Sequence, residues 1–117
     1  MNNLNYINGE WTGKDLEFLP VTNPATGEVI GEVPKGGKKE ALQAVEAAYE
    51  AFESWSSLTA YDRAKLLRKF YDLMIENEEE LAEIMTKEMG KPFKEAKGEV
   101  HYAANYLEWY AEQGKRI

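Results

Sequence analysis

Apolar residues along this chain change their spacing near residue 37. Before that point they fall in short, scattered groups. Tyr6-Ile7-Asn8-Gly9-Glu10-Trp11 sets an Asn-Gly pair between apolar residues. Both Asn and Gly tolerate positive φ, so the pattern predicts a tight hairpin. Phe18-Leu19-Pro20-Val21-Thr22 reads as extended, with Pro20 suited to an edge because it donates no ladder hydrogen bond. Asn23-Pro24-Ala25-Thr26-Gly27 has turn chemistry, Pro24 presetting φ. Residues 28–33 predict another short strand, broken by Gly31 and ended by Pro34. Residues 1–36 are therefore expected to form a small β-meander.

From Gly37 onward the spacing is three and four. Leu42, Val45, Tyr49, Phe52 and Trp55 stack on one face of a first helix. Thr59 starts a second, with Asp62 three residues on in a variant of the capping box. Its stripe is Leu67, Phe70, Tyr71, Met74 and Ile75. The stripe fails at Glu78, where an apolar residue is due. Asn77 followed by three glutamates explains the failure, since Asn77 can cap a new helix whose positive end favours acids. That third helix carries Leu81, Ile84 and Met85 and stops at Gly90. Lys91-Pro92 opens a fourth, Pro92 lying at or near the first turn, where its missing N–H costs little. The expected fold class is α+β and mainly helical: the meander of residues 1–36, then about four helices over residues 37–117.

The fourth helix carries more apolar surface than one stripe. Phe93, Ala96, Val100, Ala103, Ala104, Leu107 and Tyr110 form the main face. Tyr102, Tyr106 and Trp109 form an adjoining one, and together they spread over roughly 220° of circumference. Such a helix is either enclosed within its own small domain or built to meet a further surface. The chain runs into Gly114-Lys115-Arg116-Ile117 without a terminating loop, which reads as a truncation.

Composition narrows the function classes. The 117 residues are 44% hydrophobic and 30% charged, as in a globular domain, with 14 basic against 21 acidic side chains and a formal charge of −7. Nucleic-acid binders set a basic field against phosphate, so a nucleic-acid partner is not expected. With no cysteine, disulfides, thiolate metal sites and thiol nucleophiles are excluded and a cytoplasmic home is implied. No leader-like run and no membrane span of about 18–20 apolar residues is present, so no membrane partner is expected.

The search for chemistry returns little. Gly31 to Lys38 is a poor phosphate loop: Gly37 stands where the lysine belongs, Lys38 where the hydroxyl belongs, and Pro34 removes a cradle N–H. His101 is the sole histidine and has no cysteine to share a zinc ion with. Ser54, Ser56 and Ser57 sit at a helix end without a nucleophile elbow. No carboxylate pair stands out as an acid/base couple. The residues themselves supply no catalytic group.

Several stretches taken in order do carry a resemblance. Tyr6 to Trp11, then Thr22-Asn23-Pro24-Ala25-Thr26-Gly27-Glu28-Val29-Ile30, resemble the opening of the aldehyde dehydrogenase superfamily. Arg63-Ala64 with Leu66-Leu67, and Glu88-Met89-Gly90-Lys91-Pro92 with Glu95-Ala96, follow in that family's order and spacing. The stretch from Glu95 to Glu112 is most similar to the succinate-semialdehyde branch.

The resemblance implies the amino-terminal segment of an NAD(P)-dependent enzyme that oxidises an aldehyde, succinic semialdehyde among them, to its carboxylic acid. In the family a cysteine thiolate attacks the aldehyde, hydride passes to nicotinamide, and a glutamate-activated water releases the acid. Those parts come later in the family's chain, so this one is expected to lack the coenzyme-binding core and the catalytic domain, to hold no catalytic or cofactor-binding residue, and to be inactive alone. NAD or NADP belongs to the longer enzyme and is not expected on this chain. The resemblance further implies a monovalent cation held by the carbonyls of Val21 and Thr22 and the carboxylate of Glu88, and an aldehyde-channel wall that includes Gly98 and Tyr102. The expected partners are the remainder of the longer enzyme and, through the last helix, a second copy. The alternative is a stand-alone helical interaction module that docks through Tyr102, Tyr106 and Trp109.

Overall fold

The computed structural model describes residues 3–116. They fall into two compact units divided between Ser57 and Leu58. The first holds four strands and a helix: β1 (Asn5–Ile7), β2 (Glu10–Thr12), β3 (Phe18–Thr22), β4 (Val29–Pro34) and α1 (Lys38–Ser56). The second holds α2 (Ala60–Glu76), α3 (Glu78–Met89), α4 (Phe93–Gln113) and a short 3-10 turn, Gly114–Arg116.

The strands form where the sequence places them, but they pair as two separate antiparallel hairpins, β1–β2 and β3–β4, and not as one meander. The first closes through Asn8 (φ 52°) and Gly9 (φ 82°), the backbone that the Asn-Gly pair favours. In the second, Asn23 organises the turn: its N–H donates to the Glu28 carbonyl at 2.8 Å, and its side-chain oxygen accepts from the Ala25 N–H at 2.9 Å. The ladder shifts register between Val21 and Thr22.

Helix ends follow side-chain chemistry. Gly37 precedes α1, and its N–H donates to the Glu40 carboxylate at 2.7 Å. That backbone bond holds the Glu40 carboxyl below the usual range. At α2, Thr59 Oγ1 accepts from the Asp62 N–H at 3.2 Å and donates to the Asp62 carboxylate at 2.6 Å. The carboxylate thus accepts from the hydroxyl, where in a full capping box it would accept from the backbone N–H. Asn77 behaves differently from expectation. Its amide reaches backward to the Leu73 carbonyl at 2.8 Å and closes α2, leaving the start of α3 without a side-chain cap. Gly90 ends α3 in the left-handed region (φ 75°).

The core is small and made largely of alanine. Ala82, Ala96 and Val100 bring α3 and α4 together, with Met74, Leu81 and Met85 packed around them. Ala64, Ala104 and Ala111 are also buried. Side chains this small let helix axes approach closely, and no bulky side chain among the described residues is fully enclosed. In the first unit Pro34 is the one buried residue among those described. The whole predicted stripe of α1, from Leu42 to Trp55, stands exposed. The helix instead turns Ala41, Ala44 and Ala47 toward Tyr6 and Ile7 of the first hairpin. On α4, Phe93, Ala103 and Tyr110 are exposed where the main stripe predicts burial, and Ala111, outside that stripe, is buried.

Candidate functional site

The second face of α4 is the most concentrated chemical feature of the described residues. Tyr102, Asn105, Tyr106, Trp109 and Tyr110 surround a shallow depression of ≈ 370 Å³. Spacings of four and three along a regular helix set these side chains side by side. The Tyr102 and Tyr106 rings meet edge to face at 5.1 Å between centroids, and their hydroxyls share a hydrogen bond of 2.7 Å. That bond pushes the Tyr106 phenol above its ordinary range. Tyr110 stacks on Tyr106 at 6.5 Å. The sequence reading missed Tyr110 and Asn105 for this face, although the run 102, 106, 110 at spacings of four carried the signal.

Gly98 lies one turn before Tyr102 and is exposed. A Cβ added there meets no heavy atom within 4 Å. Close packing among the described residues of the helical unit therefore does not account for the glycine.

Two acids of α4 near this face are paired. Glu108 pairs with Arg68 at 2.6 Å, and Glu112 pairs with Lys115 at 2.9 Å, which holds the Glu112 carboxyl low. On the α3 side, Glu78 pairs with Lys97 at 2.9 Å and with His101 at 2.5 Å. The Lys97 ammonium, more than His101, holds the Glu78 carboxyl below its ordinary range.

Val21 and Thr22 lie in β3 of the first unit, at the register shift, paired with Gly31 and Val29. Glu88 lies in the last turn of α3 in the second unit, exposed at the rim of an apolar groove of ≈ 360 Å³ lined by Met74, Leu81 and Met85 among others. Carbonyl and carboxylate oxygens are the hard donors a monovalent cation takes. Among the described residues, no three His, Cys, Asp or Glu side chains gather to hold a metal by themselves.

The order of elements, the two hairpins and the three-helix unit with its open aromatic face define a segment of a known enzyme class. The sequence matches the aldehyde dehydrogenase family over residues 11–117, and the chain belongs to that family. Within it, the chain is 56% identical over 113 residues to the glutarate-semialdehyde dehydrogenase of Pseudomonas putida, a match covering 96% of this chain and 24% of that protein. It is 51% identical over 112 residues to the NADP(+) succinate-semialdehyde dehydrogenase of Escherichia coli, covering 95% of this chain and 23% of that one. The crystal structure of succinate-semialdehyde dehydrogenase from Burkholderia pseudomallei superposes with a TM-score of 0.94 at 48% identity, covering 99% of this chain and 24% of that one. The chain thus spans about a quarter of the length of these relatives, in their amino-terminal part.

A nicotinamide coenzyme does not fit the groups present here. A dinucleotide is held at a helix start that follows a parallel strand, whereas the strands described here make two antiparallel hairpins. At the strand-to-helix connection before α1, the Glu40 carboxylate already takes the Gly37 N–H that a phosphate would need.

Proposed function

We propose that this chain serves as the amino-terminal segment of an NAD(P)-dependent dehydrogenase that oxidises a short ω-carboxylated aldehyde, succinic or glutaric semialdehyde, to the dicarboxylic acid. The observation that carries the reading is the identity of 56% with a glutarate-semialdehyde dehydrogenase across 96% of the chain. Its partner is the remainder of that enzyme, which brings the nucleophile and the coenzyme site, and its compartment is the cytoplasm. By itself the chain is inactive, because it has no cysteine to attack an aldehyde. The acidic balance of the sequence keeps nucleic acid out of the reading. No helix among the described residues is long and apolar enough to cross a membrane, and none is given a membrane role.

Two finer roles belong to the same reading. Gly98 and Tyr102 form part of the wall past which the aldehyde travels; the open space around Gly98 supports this. The assignment of Val21, Thr22 and Glu88 to a monovalent cation rests on the family's motifs alone.

The exposed face of Tyr102, Tyr106 and Trp109 favours a second reading, a helical module that docks on another protein. A chimera separates the two. Residues 1–117 replace the matching quarter of the E. coli enzyme, and coenzyme reduction is followed with both semialdehydes and with NAD and NADP. The proposal expects turnover by the chimera and none by the 117-residue chain. A folded chimera that oxidises no aldehyde would overturn it, and so would turnover by the isolated chain.

A further inference from the structure

We draw no further inference here: the strongest candidate, the apolar groove that Met74, Leu81, Met85 and Val100 line in the helical unit, is like the aromatic face of α4 a surface for which nothing in the structure shows what covers it.

Discussion

Replacing Gly98 by alanine should make the protein more stable and the longer enzyme worse. Gly98 lies inside α4, past its first turn and well before its last. Glycine at such a position costs about 0.5–1 kcal/mol relative to alanine, through the backbone freedom it loses on folding. A penalty for crowding would offset that gain, but a Cβ at this position meets nothing within 4 Å. The full gain of about 0.5–1 kcal/mol should therefore appear. A domain of 60–100 residues shifts its Tm by roughly 4–8 °C for each kcal/mol. The melting curve of the helical unit, followed by far-ultraviolet circular dichroism, should accordingly rise by about 2–8 °C. In the longer enzyme the same methyl group stands in the path proposed for the aldehyde. Gly98→Ala should raise KM there, and Gly98→Leu should raise it further, with coenzyme KM unchanged. A Tm that stays level or falls refutes the structural argument, since it would mean the site is crowded. A higher Tm with unchanged aldehyde KM leaves the helix argument standing and removes Gly98 from the channel.

Two further outcomes are expected. Ala96→Leu places extra carbons against Ala82 and Val100 where Ala96 is wholly buried, and should lower stability by about 1–3 kcal/mol in urea melts; the flexible Met74 and Met85 beside it set the lower end. Glu78→Gln bears on pH. Lys97 depresses the Glu78 carboxyl in the folded chain, so this pair stabilises fully above the unfolded glutamate value of about 4.3 and the contribution is lost as pH falls below it. The wild-type urea midpoint should drop more steeply than that of Glu78→Gln between neutral pH and the acid range; parallel curves would remove the pair from the stability account.

Much of the fold was legible because local chemistry and tertiary structure agree. Asn8-Gly9, Asn23 to Gly27, Thr59 with Asp62, and Gly90 each have side-chain or backbone preferences that a short window reveals, and each sits in the turn or cap those preferences predict. Two features escaped for a physical reason. Strand pairing depends on residues far apart in sequence, so the Asn8-Gly9 hairpin was legible but not that the two hairpins stay separate sheets. Burial was misjudged chiefly for the bulky residues; Ala96 and Ala104 lie on the stripe expected to be buried, Ala111 does not. The bulky stripe of α1 and the aromatic residues of α4 dominate any hydrophobic pattern, yet here they face outward, while Ala82, Ala96, Ala104 and Ala111 make the contacts. Alanine gives a weak periodic signal because it is acceptable on either face of a helix. The site was less legible than the fold. The face of Tyr102, Tyr106 and Trp109 was legible from its spacing, whereas the hydrogen bond between Tyr102 and Tyr106 and the stacking of Tyr110 needed the geometry.

The alanine seam of α4 divides that helix into two regimes of tolerance to change. On the inner side, at Ala96 and Val100, added bulk crowds Ala82 of α3, so few larger residues are tolerated there. On the outer side, positions 98, 102, 105, 106 and 109 touch little within the helical unit, and their replacement leaves the seat of the helix undisturbed. A lineage built on this scaffold can therefore exchange what α4 presents, ring for chain or hydroxyl for methyl, one residue at a time and without passing through an unfolded ancestor.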